Sequence, residues 1–301
     1  MLNVTADIYS GRVNPTAEIT DEGEARTLLR ELEQVPTLSA DTGGAQGGLG
    51  LRGFRVEALG DDVLADRPDA TDLYVPVGAL SSSDRGVEIG ERILNLMQSA
   101  PADAPDVATV DSALRDYLLG RLAAQAESVT DQAVAPPADF TGPADVSCTI
   151  ELGTFNPGFW NNDPTVRSHN NCYNYASNWR TNTFAQPGRG CGHMYTAITC
   201  EEVTRAALCD GMHRRFDCFP DSEKPRYLVA LVVAPGPGFV DYHWYRKQKG
   251  GFWGHKPGGT AARNTDESGV VITNPETADR GPYTQFCGYF YSSNSQRHTI
   301  N

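Results

Sequence analysis

The sequence predicts an α+β protein of two domains, on three observations. Its 301 residues suit two domains, because a domain commonly holds about 150 residues. Segments that alternate like strands are interspersed with segments of helical spacing. The charge is uneven: residues 1–145 hold 25 acidic and 10 basic residues (net −15), and residues 146–301 hold 13 acidic and 15 basic residues (net +2), which together give −13. Every cysteine, histidine, tryptophan and lysine lies in the second part, so we expect the chemistry there.

Residues 1–99 are predicted to form a small acidic α/β-sandwich domain of unknown role. The stretch "LNVTADIYSG" alternates like a strand and ends in a turn. Asp21 can cap the helix that follows. Two further strands are predicted at "LRGFRVEAL" and "DLYVPVGAL". The Gly-rich "DTGGAQGGLG" is expected to be a loop. "IYSGRVNP" and "LGLRGF" resemble a module of uncharacterised bacterial proteins, which implies no activity. The two helices have apolar faces formed by Ala25, Leu28, Leu29 and Leu32, and by Ile89, Ile93, Leu96 and Met97.

Residues 100–145 are predicted to be a linker rich in proline, alanine and aspartate that contains one amphipathic helix. The helix needs a surface on which to bury its apolar stripe. Docking on either domain would satisfy this need, and one alternative is a plug over the site of the second domain. The stripe comprises Val107, Val110, Leu114, Leu118 and Leu122.

Residues 146–301 form the predicted second domain, and its most informative stretch is "SHNNCYNYASNW". Asn170 or Asn171 can cap a helix, which places Cys172 in the first helical turn. The amide donors and the dipole there favour an anion, so we expect a lowered pKa for the Cys172 thiol. The alternative is a structural cysteine that is buried or disulfide-bonded.

A hairpin further along the chain supplies candidate bases. "YLVALVV" is typical of a buried strand, "DYHWYRKQ" places Asp241, His243 and Tyr245 on one face, and "GFWGHK" is the expected hairpin partner. With a turn of three or five residues, His243 would lie directly opposite His255, about 5 Å away between Cβ atoms. One ring could then accept the cysteine proton while the other orients it.

The order of these elements resembles the papain-like cysteine peptidase superfamily, especially its NlpC-type and CHAP-type bacterial branches. "NNCYNYA", "DYHWYR" and "GHKPGG" are also similar to a poorly characterised bacterial family of this presumed fold. The resemblance covers roughly residues 150–292 and implies a helix packed on an antiparallel sheet. It implies Cys172 as nucleophile, His243 as base and His255 as its orienting group, without metal or cofactor. The expected reaction is hydrolysis of a peptide or amide, with cell-wall peptide among the substrates, through a cysteine acyl-enzyme.

Such an enzyme also needs donors for an oxyanion and a group that orients the base. The backbone amide of Cys172 is one expected oxyanion donor. The side-chain candidates for the second donor are Asn161, Asn162 and Asn171. The alternatives to His255 as orienting group are Asn264, Asp266 and Asn274.

Six cysteines other than Cys172 make an even number, which suits three disulfides and one free thiol. They are Cys148, Cys191, Cys200, Cys209, Cys218 and Cys287. Zinc is the rival interpretation, because His193 and His213 lie near four of them, and plain buried thiols are a third.

Composition excludes some classes of function. The negative charge disfavours nucleic acid, and no apolar run is long enough to span a bilayer. The first residues do not match a Sec-type signal peptide, so we expect a cytoplasmic protein or export by another route. The alternatives to a hydrolase are a catalytically inactive papain-like binding or toxin-like module and a zinc- or disulfide-stabilised structural domain.

Overall fold

The structure is a computed structural model. It describes residues 1–39, 48–59, 72–100, 108–126, 149–214 and 220–301. Most of the Gly-rich loop and the residues Val107, Cys148 and Cys218 therefore lie outside the described residues. Helices and antiparallel sheets are both present, so the predicted α+β class is confirmed.

The described residues form two compact units. The first lies within Met1–Ile8, Val13–Gln132 and Pro237–Phe239. The second lies within Tyr9–Arg12, Ala133–Gly236 and Val240–Asn301. The four residues Tyr9–Arg12 thus belong to the second unit, although they stand near the beginning of the chain.

The first unit contains an antiparallel sheet with the strand order β2-β1-β4-β5-β3. Alternate residues of β1 are buried, as the alternating sequence predicts. The strands are β1 (Leu2–Asp7), β2 (Thr16–Ile19), β3 (Leu38–Ser39), β4 (Gly53–Ala58) and β5 (Asp72–Pro76).

The helices of the first unit are α1 (Glu22–Leu32), α2 (Val77–Leu80), α3 (Asp84–Ser99) and α4 (Ser112–Ala126). Asp21 caps α1 by accepting the Glu24 amide, and the predicted apolar face of α1 is buried. On α3, Ile89, Ile93 and Met97 are buried as expected.

Helix α4 is the amphipathic helix that we expected within the linker 100–145. Its residues Leu114, Leu118 and Leu122 are buried, together with Val110 before it. The helix belongs to the first unit and packs on α2 and α3, so it is an element of that unit rather than of a linker. The apolar stripe is buried within the first unit, so the helix does not need the second domain as a docking surface.

The second unit contains an antiparallel sheet with the strand order β6-β10-β7-β8-β9. Its long central strands are the ones predicted from "YLVALVV" and "DYHWYRKQ". The strands are β6 (His213–Arg214), β7 (Tyr227–Pro235), β8 (Val240–Lys247), β9 (Trp253–His255) and β10 (Gln285–Ser292).

The helices of the second unit are short apart from α8. They are α5 (Gly158–Asn161), α6 (Pro164–Ser168), α7 (Cys172–Ser177), α8 (Cys200–Cys209) and α9 (Asn294–Arg297), with a 3-10 turn at Asp221–Glu223. Residues of α7 and α8 form one buried hydrophobic cluster with Tyr242 and Trp244 of β8. Two disulfides, Cys191–Cys209 and Cys200–Cys287, stabilise this unit.

The register of the β8–β9 hairpin differs from the expected one. Tyr245, not His243, lies opposite His255, and Lys247 pairs with Trp253 around a five-residue turn, 248–252. The turn length is one of those expected, but the pairing begins one residue later on each strand. His243 and His255 are therefore diagonal neighbours on the same face, a position from which long side chains still meet.

No helix in the described parts of the chain is both long and apolar enough to cross a membrane.

Candidate functional site

Cys172 is the first residue of α7, and its position follows from the cap before it. The side chain of Asn171 accepts the amides of Tyr173 and Asn174, and the side chain of Asn174 accepts the amide of Asn171. This reciprocal capping box ends the preceding turn and starts the helix. The expectation that Asn170 or Asn171 caps the helix is thus met by Asn171.

The Cys172 thiol is completely buried and lies against the backbone of β8. Its Sγ is 3.9 Å from the carbonyl oxygen of Tyr242, and the backbone amide of Trp244 donates to it. These two residues flank His243, so the sulfur contacts the strand where the candidate base is attached. Among the cysteines of the described residues, Cys172 is the free thiol.

The expectation of a lowered thiol pKa is wrong for this conformation. Burial raises the pKa of Cys172 well above its ordinary value, and the carboxylate of Asp241 adds to the rise. The amide of Trp244 and the charge of Lys256 act in the opposite direction but do not compensate. A six-residue helix also provides only a small dipole.

The two histidines of the hairpin are in direct contact. Nε2 of His243 and Nδ1 of His255 are 2.8 Å apart, and both side chains are completely buried. The structure therefore brings together the predicted base and the predicted orienting group.

The surroundings of His255 decide which nitrogen carries the proton. Nε2 of His255 lies 2.9 Å from the carbonyl oxygen of Thr265 and 3.2 Å from Nε of Arg263. We assign the proton to Nε2, donated to Thr265, because this contact is the shorter of the two. Burial, together with the Arg263 charge, lowers the pKa of His255 to about 3, so the ring is neutral.

A neutral His255 with its proton on Nε2 has an unprotonated Nδ1, which must accept a hydrogen bond. The donor is Nε2 of His243. The other nitrogen of His243, Nδ1, is then the basic one. This is the tautomer that a general base for a thiol requires.

Aromatic and acidic side chains complete the face of β8 that bears His243. The ring of His243 meets Tyr245 edge to face at 4.8 Å and lies 5.5 Å from Tyr283. The hydroxyl of Tyr283 donates to Asp241 at 2.6 Å. Burial raises the pKa of Asp241 and, more strongly, that of Tyr283. These groups hold a polar network inside the protein.

Lys256 is a buried cation that the sequence analysis did not single out. Its ammonium donates to the carbonyl oxygens of Arg167, Asn170 and Gly258 and is completely buried. It holds the chain just before Cys172 against the end of β9. The sequence did show a lysine directly after His255 of the predicted strand. It does not show that this lysine is buried, so the role of Lys256 could not be predicted.

The asparagines proposed as oxyanion donors have other partners. The Asn171 amide nitrogen donates to the carbonyls of Gly11 and Ala185, and that of Asn161 donates to Ala262. Asn162 is exposed. The side chains of Asn171 and Asn161 thus fix local structure.

The alternatives to His255 as orienting group also have structural roles. The Asp266 carboxylate accepts the amides of Ser268, Val270 and Asp279, and the Asn274 side chain accepts the amide of Glu276. Asn264 contributes its backbone carbonyl to Ile272. The group that contacts His243 is His255 itself.

The interpretation of the cysteines as disulfides with one free thiol is supported for the described residues. Cys191, Cys200, Cys209 and Cys287 form the two disulfides, whereas Cys148 and Cys218 lie outside the described residues. No group of three or more possible ligands in the described part of the chain is placed to hold a metal ion. The bonded cysteines are not available to zinc, which corrects the zinc alternative for these four.

The fold and the site define a disulfide-stabilised α+β protein with a buried thiol and a coupled histidine pair. Insoluble matrix shell protein 1 of Ruditapes philippinarum is 51% identical to the chain over 135 residues, which are 45% of this chain and 86% of that protein. The chain therefore belongs to the family of this shell protein.

The sequence interpretation placed the chain among bacterial proteins, and this molluscan relative does not support that placement. No family model matches the chain. No solved structure matches it either. The papain-like resemblance stays a prediction.

Proposed function

We propose that the second unit has a papain-like arrangement and is a thiol-dependent hydrolase of peptides or amides. One observation carries this proposal: Cys172 lies against the backbone that flanks His243, whose Nε2 is bonded to His255. A cysteine that begins a helix, a histidine on a strand and an orienting group on the next strand are the three parts that such a centre needs.

The proposed reaction uses these groups in order. Nδ1 of His243 takes the proton of Cys172 as Sγ bonds to the carbonyl carbon, and the same proton goes to the leaving nitrogen as the C–N bond breaks. Water then cleaves the thioester and restores the thiol. His255 holds the reactive tautomer of His243 and stays neutral.

The centre is closed in this conformation. Cys172, His243 and His255 are each completely buried, and the raised pKa keeps the thiol protonated. Hydrolysis therefore requires that the surrounding loops open, and we expect slow turnover unless a substrate favours the open form.

Acylation of the full-length protein by p-nitrophenyl acetate tests the proposal. Mass spectrometry should find an acetyl group on Cys172, and nitrophenol release should be lost in Cys172→Ala. His243→Ala should slow acylation by about 100-fold or more, the usual contribution of a general base. His193→Ala, at an exposed histidine, is the matched control and should react like the wild type.

Acetylation elsewhere but not on Cys172, in a protein that remains folded, would contradict the proposal. So would equal rates for His243→Ala and His193→Ala, because the thiol would then react without the histidine.

A structural role is the second candidate, and the family relationship favours it. The relative is named as an insoluble matrix protein of shell. Two disulfides suit an oxidising environment, and a completely buried thiol suits a stable structural domain. If this role is correct, native Cys172 stays unacylated while the folded protein co-sediments with insoluble shell matrix and its urea-unfolded form does not.

A further inference from the structure

The segment Tyr9–Arg12 is bound through its backbone by the rest of the second unit. The carboxylate of Asp241 accepts three successive amides: Ser10 at 2.5 Å, Gly11 at 3.2 Å and Arg12 at 2.9 Å. Asp241 is completely buried and stands about 230 residues further along the chain. Three amides that converge on one carboxylate form strong, charge-assisted hydrogen bonds.

The carbonyl groups of the segment are recognised as well. The carbonyl oxygen of Gly11 accepts from Nδ2 of Asn171 at 2.9 Å, Nε2 of Gln186 at 2.7 Å and the hydroxyl of Tyr242 at 3.0 Å. The carbonyl oxygen of Ser10 accepts the amide of Gly258 at 3.1 Å. Side chains of the second unit thus make most of the contacts that a neighbouring strand would otherwise supply.

The site selects glycine at its centre. A Cβ atom at position 11 would lie 2.4 Å from the ring of Tyr242, which is completely buried and whose hydroxyl donates to the carbonyl oxygen of Gly11. The next residue is also recognised, because the guanidinium of Arg12 donates to the carbonyl of Val240 at 2.7 Å.

The receptor groups are held in place by contacts outside the segment. Asp241 accepts the hydroxyl of Tyr283, Asn171 caps α7, and Gln186 accepts the hydroxyl of Tyr195 at 2.7 Å. Without the segment, Asp241 and the amide groups of Asn171 and Gln186 would lose partners inside the protein, which is costly. A preorganised polar site of this kind favours an occupant.

We propose that these groups form a peptide-binding site, which the chain's own residues 9–12 occupy. Its ligands are short extended peptides that contain glycine followed by arginine. The proposal goes beyond the hydrolase, because it requires no reaction at Cys172. The tethered segment has a high effective concentration, of the order of millimolar, so an added peptide competes only when the segment is weakened.

Gly11→Ala in the full-length protein weakens the segment and leaves the receptor intact. Fluorescence polarisation should show that this variant binds a labelled peptide of sequence YSGRV at least ten times more tightly than the peptide YSARV. Wild-type protein should bind neither. Adding Asp241→Ala to Gly11→Ala should abolish the binding of YSGRV.

A folded Gly11→Ala variant that binds neither peptide, or both equally, would overturn the proposal. If the variant does not fold alone, the peptides are added during refolding. Recovery of native near-ultraviolet circular dichroism with YSGRV but not YSARV supports the site, and no difference between the peptides refutes it. Peptide binding is measured without any acylation of Cys172. A negative binding result would therefore refute the peptide site without refuting the hydrolase proposal.

Discussion

The two faces of the second unit's sheet around strand β8 differ in chemistry but not in burial. The apolar face packs against α7 and α8, and the polar face carries titratable groups. The apolar face consists of Leu231, Val233, Tyr242, Trp244 and Phe290. The polar face includes Asp241, His243, Tyr245, His255 and Tyr283. Residues of both faces are almost completely buried.

Antiparallel strands of this alternating pattern commonly leave the polar side in water. Here the polar side is enclosed, so its groups must satisfy one another, and burial of polar groups costs free energy unless every partner is present. We infer that the apolar face provides most of the stability, while the polar face supplies groups for chemistry and for binding residues 9–12.

The largest effect should come from the apolar face. Trp244→Ala removes a completely buried indole from contact with Tyr173 and Phe290 and leaves a cavity. We expect a loss of about 4 kcal/mol in the free energy of unfolding, measured by urea denaturation with the disulfides intact. Trp179→Ala is the matched control, because Trp179 is 41% exposed, and it should cost about 1 kcal/mol or less. Similar losses for both variants would refute the assignment of stability to this face.

On the polar face, Asp241→Ala should cost about 3 kcal/mol, because the amides of residues 10–12 lose a buried acceptor. Asp266→Ala is the matched control. Asp266 also accepts three backbone amides, but its hydrogen bonds are only part-buried and the residue is 7% exposed against 0% for Asp241, so water reaches these amides more easily. Urea denaturation should give a clearly smaller loss for Asp266→Ala. An equal or smaller loss for Asp241→Ala would contradict the predicted extra cost of unpairing the buried amides of residues 10–12.

Local features of the fold were predictable from the sequence because their causes are local. The cap at Asp21, the start of a helix at Cys172 and the buried strand "YLVALVV" follow from side-chain chemistry and periodicity within a few residues. The alternation of β8 also placed Asp241, His243 and Tyr245 together on one face.

Features that depend on distant contacts were not predictable. The hairpin register was off by one residue on each strand, because the sequence of the turn does not show which of its residues pair. The pKa of Cys172 was expected to fall because a helix start is visible in the sequence, whereas its burial is not. The binding of residues 9–12 to Asp241 joins positions about 230 residues apart, and its only local signal was the glycine in "YSGRV".

The polar face should also make stability depend on pH. The pKa of His255 is about 3 in the folded protein and near its ordinary 6.5 when unfolded, so only the unfolded chain binds this proton between those values. Stability is therefore fully present above pH 6.5 and falls as the pH is lowered toward 3, by up to about 1.4 kcal/mol per pH unit.

His255→Asn removes this titration. The difference in unfolding free energy between wild type and variant should shrink by about 2 kcal/mol between pH 6.5 and pH 5, measured by urea denaturation at each pH. Other titrating groups cancel in this difference. His169→Ala, at an exposed histidine, should follow the wild-type curve. If the wild-type and His255→Asn curves are parallel, His255 is not held neutral by burial.

The smallest effect concerns Cys172, which belongs to the apolar cluster but contacts the backbone beside His243. If the apolar surroundings dominate, Cys172→Ala should cost about 1 kcal/mol, and Cys172→Ser about 1 kcal/mol more, because a buried hydroxyl needs a good partner. The C–O bond is shorter than the C–S bond, so the serine oxygen falls short of the Tyr242 carbonyl, which the sulfur meets at 3.9 Å. Urea denaturation of the two variants measures this difference in the free energy of unfolding. A serine variant as stable as the alanine variant, or more so, would show that the surroundings of position 172 can satisfy a buried hydroxyl. That result would strengthen the case for proton transfer to His243.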